Sequence, residues 1–131
     1  MMSFNDPIAE LLTKIRNAKT AKHRYVDLSF SKNKVKILDL LRNHGFIENF
    51  LVNEDQFKVR VFLRYTKDRF SVIHDLKRIS TSGIRRYVGY KAIPRVFNGM
   101  GVCIISTSKG IMDGETARNL KVGGELLCTV W

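Results

Sequence analysis

The sequence predicts an α+β fold of two small lobes: an N-terminal α-β-α-β-β unit over residues 1–66 and a mainly β unit with short helices over residues 67–131. Three observations carry this. Two segments ahead of Gly45 space their apolar residues at helical period. From Phe46 onward apolar residues mostly alternate or form short runs. Between the two regimes lies a polar stretch, Thr66-Lys67-Asp68-Arg69, that fits a lobe boundary.

Asp6-Pro7 has the form of an N-cap followed by proline at the first helical position. Ile8, Leu11, Leu12 and Ile15 then recur at helical spacing, predicting a helix to about Thr20 whose other face shows Thr13, Lys14, Arg16, Asn17 and Lys19. Val26, Leu28 and Phe30 alternate with Asp27 and Ser29 as in a half-buried strand. Ser31 can cap a second helix that turns Val35, Leu38 and Leu41 inward. Asn43-His44-Gly45 supplies its stop, because Gly45 is free to take the left-handed conformation. A hairpin is expected next, Phe46 to Val52 and Phe57 to Leu63, around the polar turn 53–56. Beyond the boundary, the spacing of Val72, Ile73, Leu76 and Ile79 fits either a helix or a strand, with strand preferred; Arg85 to Tyr90 reads as a strand, and Ala92 to Phe97 as one helical turn. Gly99-Met100-Gly101 reads as a turn, Val102 to Ser106 as an apolar strand, and Glu115 to Leu120 as one or two turns of helix. Glu125 to Trp131 closes the fold as a strand. No internal repeat or low-complexity tract is present.

Composition narrows the function. Twenty-three Lys and Arg against twelve Asp and Glu give a net charge of +11 and a pI near 10.0. That excess repels itself in a compact chain and is offset by a polyanionic partner. It is spread over both halves but concentrated in two stretches. Lys14 to Lys36 holds eight basic residues and one acid, Asp27; Lys77 to Arg95 holds six and none. No apolar run approaches the eighteen or so residues of a membrane span. The N-terminal residues lack the basic and apolar regions of a secretory signal. Cys103 and Cys128 have neither a paired spacing nor nearby histidines, so no metal site is expected, and a protein of a reducing compartment fits best.

Catalytic chemistry has little foothold. His23, His44 and His74 are scattered, and surface or capping roles suit them. The cysteines lie in apolar strands, where a small buried hydrophobe is the default. Gly99-x-Gly101 lacks the lysine and hydroxyl of a phosphate loop and leads into a strand rather than a helix. No cofactor is implied. Ser106-Thr107-Ser108-Lys109-Gly110 is different: three hydroxyls at the end of an apolar strand can donate, accept and admit close approach of an RNA backbone and its 2′-hydroxyls.

Its surroundings strengthen that reading. Ile93-Pro94-x-Val96, Gly99-Met100-Gly101, Ser106-Thr107-Ser108-x-Gly110-x-Met112, Ala117-Arg118 and Gly123-Gly124-Glu125 follow one another in an order and spacing that resembles the family of bacterial ribosomal protein eight of the small subunit. The likeness continues through Arg78-Ile79-Ser80 and Gly83-Ile84-Arg85-x-Tyr87. It reaches the N-terminus through Asp6-Pro7-Ile8-Ala9, Thr13-x-Ile15-Arg16-Asn17, Ser31-Lys32 and Gly45-Phe46-Ile47. The resemblance implies a structural constituent of the cytoplasmic ribosome, not an enzyme, that binds the central domain of small-subunit ribosomal RNA and nucleates its folding among neighbouring ribosomal proteins. It implies RNA contacts at Ser106, Thr107, Ser108, Gly124, Glu125 and Tyr87. From the N-terminal lobe it implies Asp6, Thr13, Arg16, Asn17 and Lys32, mainly toward the RNA backbone. Some members of the family also repress their own operon through messenger RNA that mimics the ribosomal site, a property the residues leave open here.

Two departures stand out. Ser82 occupies a place where the family commonly has proline, and Asp113 stands where threonine is usual. Asp113 can still cap the following helix, while adding negative charge beside the expected RNA face. For Glu125, also an acid, the expected role is to accept from base amino groups or to hold a neighbouring basic side chain. Two other classes remain to be weighed: an RNA-modifying enzyme or nuclease, for which the sequence offers no acid, base and nucleophile set, and a DNA-binding regulator reading the major groove with the Ser31 to Asn43 helix.

Overall fold

The computed structural model describes residues 6–96 and 99–131. Helix α1, Pro7–Thr20, starts where Asp6 Oδ1 accepts hydrogen bonds from the backbone N–H groups of Ile8 and Ala9 at 3.2 and 3.1 Å. These bonds satisfy two of the donors left free at a helix start. Strand β1, Tyr25–Ser29, is followed by α2, Lys32–Asn43, capped by Ser31, with Gly45 at φ +79° just beyond its end. Strands β2, Ile47–Asn53, and β3, Lys58–Leu63, form the expected hairpin, and the three strands make an antiparallel sheet in the order β1-β3-β2.

The second sheet is built around β8, Gly124–Val130. One edge of β8 pairs with β6, Val102–Thr107, which in turn pairs with β7, Gly110–Asp113. Its other edge is shared by β4, Leu76–Arg78, and β5, Tyr87–Val88. Helix α3, Gly114–Asn119, follows β7 directly.

Strand β6 shows how one segment serves two cores. Val102 and Ile104 enter the main core, with Leu11, Ile15, Leu38, Val61 and Val130, whereas Cys103 and Ile105 enter a smaller one with Ile93, Met112, Ala117 and Leu126. Alternate residues therefore face opposite apolar layers, and the strand reads as an uninterrupted apolar run. The main core takes residues from both sides of Thr66.

Several expectations need correction. The segment Arg85–Tyr90 is strand only at Tyr87–Val88, and Tyr90–Ala92 forms a short 3₁₀ turn. The helical turn expected over 92–97 is displaced to that position. Ile93 precedes Pro94 and is extended (φ −65°, ψ 122°), as the proline ring requires, while Phe97 lies outside the described residues. Within 72–79 the strand covers only Leu76–Arg78. Phe57 does not alternate into the core: it sits in the turn at φ +56°, 68% exposed. In α2 the buried positions are Lys34, Ile37, Leu38 and Leu41, with Val35 half-buried.

The Ser-Thr-Ser loop is a tight hairpin. Ser106 and Thr107 belong to β6, Thr107 faces Gly110, and only Ser108 and Lys109 form the turn. Strand β7 was not expected, because four residues beginning with glycine and ending in a helix cap carry too little alternation to register as a strand. Pairing with β6 imposes its conformation.

Candidate nucleic-acid interface

The antiparallel registers bring distant residues into one row. Tyr87 faces Glu125 across β5 and β8, Glu125 faces Ser106 across β8 and β6, and Ser106 faces Ile111 across β6 and β7. Directly opposed residues share a face, so a phenol, a carboxylate and a hydroxyl line up over two strand spacings, about 10 Å. Tyr87 is 70% exposed, an unusual position for an aromatic ring in a sheet.

Beneath this row lies a cleft of about 460 Å³ whose walls include Asp6, Asn33, Arg78, Arg85, Ser106 and Glu125. It brings the start of α1 against β6 and β8. A second cleft, about 610 Å³, adjoins it along Asp6 and Pro7 and is lined by Thr13, Lys14, Ser31 and Lys34 among others. Asp6, Ser106 and Glu125 thus meet in one cleft, and Thr13 joins Asp6 in the other. Asn17 and Lys32 are exposed outside both.

The acids here are held in place by their neighbours. Glu125 accepts from Ser80 Oγ and from Arg85 Nη1, the latter at 3.0 Å, so it holds a basic side chain at the rim as anticipated. Asp6 caps α1 with one oxygen, and the other lies 3.0 Å from Arg78 Nη2. Arg16 donates to the Leu76 carbonyl and sits 3.6 Å from Asp75, tying α1 to the approach to β4. Lys34, counted in the first basic stretch, is 1% exposed and ion-paired with Glu10 at 3.0 Å. That cation is internal and unavailable to a partner.

The hydroxyls divide. Thr107 Oγ1 donates to the Gly110 carbonyl at 2.8 Å and accepts from Lys109 N–H at 3.1 Å, so it holds its own turn together. Ser106 and Ser108 make no side-chain hydrogen bond among the described residues, and Ser108 is exposed. Gly124 is placed by close approach: a Cβ there would lie 2.1 Å from the Ser106 carbonyl oxygen. Asn33, Arg78 and Arg85 are cleft residues that the sequence did not single out as contacts. Arg78 and Arg85 lay within the matched motifs, and that signal was sufficient to find them.

Asp113 lies at the far end of β7 from Gly110 and lines neither of these clefts. It caps α3 by accepting from Thr116 N–H at 2.9 Å and meets His44 Nε2 at 2.8 Å, joining the end of α2 to the start of α3. Burial pushes its carboxyl up, but the bonds from Thr116 and His44 outweigh this and hold it below the usual 3.8. A depressed folded pKa gives stability that is present above the ordinary carboxylate value and lost as pH falls through the folded one. Asp113→Ala is therefore expected to cost about 1–2 kcal/mol at pH 7, the range for a lost cap, with the deficit shrinking below pH 3.8. Denaturant unfolding at pH 7 and near pH 3 checks this; a deficit equal at both would remove the ionic part of the account.

Burial raises Cys103 to about 11 and Cys128 to about 12, so both are thiols at neutral pH. Cys103 shares a cavity with His44 and Asp113, but a thiol held that high is a packed hydrophobe rather than a nucleophile. Among the described residues no group of three His, Cys, Asp or Glu could hold a metal, and no helix is long and apolar enough to cross a membrane.

Comparison with known proteins agrees with the sequence motifs. The chain is 53% identical to a protein of Anaeromyxobacter sp. (strain K) and 54% identical to one of Geotalea uraniireducens (strain Rf4), each over 99% of this chain and 100% of the relative. It is 50% identical to one of Protochlamydia amoebophila (strain UWE25) over the same shares. Each of these is named small ribosomal subunit protein uS8. The family described as "Ribosomal protein S8" matches residues 6–131. Motif order, a two-sheet α+β fold and full-length similarity agree: the chain belongs to the ribosomal protein S8 family.

Proposed function

We propose that this chain binds the central domain of small-subunit ribosomal RNA directly and helps nucleate its folding, reading the RNA at the row Tyr87, Glu125 and Ser106. As a member of its family it is a structural, non-enzymatic constituent of the small ribosomal subunit. The observation that carries the finer reading is that row: an exposed ring, a carboxylate holding Arg85, and a free hydroxyl beside Ser108, in a chain of net charge +11. In this reading the two lobes, 1–66 and 67–131, clasp the RNA from both sides of the adjoining clefts. Asp6 and Thr13 shape the walls, and Gly124 lets β8 lie close against β6 beside Ser106; Asn17 and Lys32 contact the backbone beyond the walls; Thr107 preserves the hairpin. Arg16 acts through its bond to Leu76 more than through phosphate.

A titration with a central-domain RNA fragment across salt concentrations tests this. Neutralising roughly 4–6 phosphates gives a log K against log salt slope of about −3 to −5. Lys32→Ala is expected to flatten it by about one unit for cognate and unrelated RNA alike. Ser106→Ala with Ser108→Ala is expected to weaken cognate binding by about 2 kcal/mol, near 1 kcal/mol per neutral hydrogen bond, while leaving slope and melting temperature unchanged. Unchanged affinity in that folded double variant, or equal affinity for duplex DNA, removes the row from the site. A messenger folded like the ribosomal site would compete in the same titration, which is the test of autoregulation.

A further inference from the structure

Strand β2 is an edge. Among the described residues it pairs with β3 alone, so one side of Ile47–Asn53 carries backbone N–H and C=O groups without a ladder partner among them. Exposed edges are usually blunted by lysine or proline, and Ile-Glu-Asn-Phe-Leu-Val-Asn contains neither. A bulge between Ile47 and Asn49 is the one irregularity, and beyond it Leu51 and Val52 are 57% and 40% exposed. The turn that follows is firmly tied. Asn53 Oδ1 accepts from Gln56 N–H, Phe57 N–H donates to the Glu54 carbonyl, and Phe30 N–H donates to the Phe57 carbonyl. The edge is therefore preformed, and seven residues give it a length of about 23 Å.

Its charge is opposite to that of the rest of the surface. Seven of the twelve acids are spent on ion pairs with Arg, Lys or His: Asp6, Glu10, Asp27, Asp39, Asp75, Asp113 and Glu125. Of the other five, Glu48, Glu54 and Asp55 all lie on β2 and its turn; the cations beside that segment are Lys58, opposite Asn53, and Arg42, which pairs with Asp39 and also reaches Asn49 Oδ1 at 3.3 Å and the Phe50 ring. A polyanion is repelled there, whereas a cationic chain is attracted. None of the β2 residues lines the clefts proposed for RNA.

We propose that the free edge of β2 accepts an extended, lysine- and arginine-rich segment of another protein of the same particle as an added strand. Main-chain hydrogen bonds supply the attachment, Leu51 and Val52 the apolar contact, and the three acids the selection for a basic sequence. That such a protein is at hand follows from family membership; the surface is separate from the RNA row, and each can fail without the other.

The test uses the full chain with p-benzoylphenylalanine in place of Leu51, assembled into bacterial small subunits and irradiated, with the attached species identified by mass spectrometry. A lysine- and arginine-rich peptide of another small-subunit protein is expected. Backbone hydrogen exchange at residues 48–53 is expected to slow on assembly. Reversing E48K, E54K and D55K together is expected to cut the crosslink about tenfold while binding to the isolated RNA fragment stays equal or tightens. If the triple variant does not fold, E54K with D55K, confined to the turn, serves for the same comparison. Attachment to RNA or to a second copy of this chain, no attachment, unchanged exchange, or a yield indifferent to charge reversal overturns the proposal. The RNA titration, run separately, reports on the RNA row alone.

Discussion

Glu10→Gln is expected to lower the unfolding free energy by about 2–3 kcal/mol at pH 7, through the residue it abandons. Lys34 Nζ has three partners for its three donors: the Ser29 carbonyl at 3.0 Å, Ser29 Oγ at 2.7 Å and Glu10 Oε1 at 3.0 Å. Only the last carries compensating charge. Removing one member of a buried pair typically costs about 3–5 kcal/mol. The lower figure applies here because the Glu10 side chain is 35% exposed, so water replaces part of what is lost. Burial pushes the Glu10 carboxyl up, but the bonds from Lys34 and Ser29 prevail and hold it below the usual 4.5. Its contribution is therefore complete above pH 4.5 and fades as pH falls through the lower folded value. Urea unfolding of both proteins at pH 7 and pH 3 should show the gap closing on the acid side. Replacing both members together, Lys34→Met with Glu10→Gln, removes the buried charges as a unit and is expected to be neutral within about 1 kcal/mol. A large loss there would mean that the pair stabilises more than its desolvation costs.

Gly124→Ala is expected to be comparably damaging, about 3 kcal/mol, near the upper end for overpacking. The added Cβ would lie 2.1 Å from the Ser106 carbonyl oxygen, 2.9 Å from its carbonyl carbon and 3.1 Å from Thr107 Cα. All three are backbone atoms of β6, so no side chain can swing aside and the two strands must part. Glu125 and Ser106 face one another at that point, so RNA affinity should fall along with the melting temperature. Gly83→Ala is the matched control, since its Cβ meets nothing within 4 Å and the melting temperature should hold. A Gly124→Ala protein that melts normally yet loses RNA would instead make the glycine a point of RNA approach.

Both variants depend on contacts that separate the legible from the illegible in this chain. Local signals were sufficient wherever neighbours along the chain supply the partners. The caps at Asp6, Ser31 and Asp113, the left-handed Gly45 and the β2–β3 hairpin all rest on bonds spanning a few residues, and the structure bears them out. Where the partner is remote, local reading went astray. Lys34 looked like one more surface cation, because nothing in Ser31 to Lys36 indicates that Glu10, in another helix, closes over it. Strand β7 has no pattern of its own and exists because β6 pairs with it. Arg85 to Tyr90 has strand composition, but β8 offers the edge to β4 as well and leaves β5 only two residues.

The family, the α+β class, the basic character and the hydroxyl triplet were determined by sequence alone, because motif order, hydrophobic period and charge are properties of the chain itself. Only the tertiary structure decided which of those residues are free to act. It set Tyr87, Glu125 and Ser106 in one row, turned Thr107 into its own hairpin and Arg16 toward Leu76, and left the Ser106 and Ser108 hydroxyls without partners among the described residues. The reason is that a polar side chain is available to a ligand only when the fold has not already satisfied it, and in this chain the satisfying groups come from strands and helices up to 69 residues away.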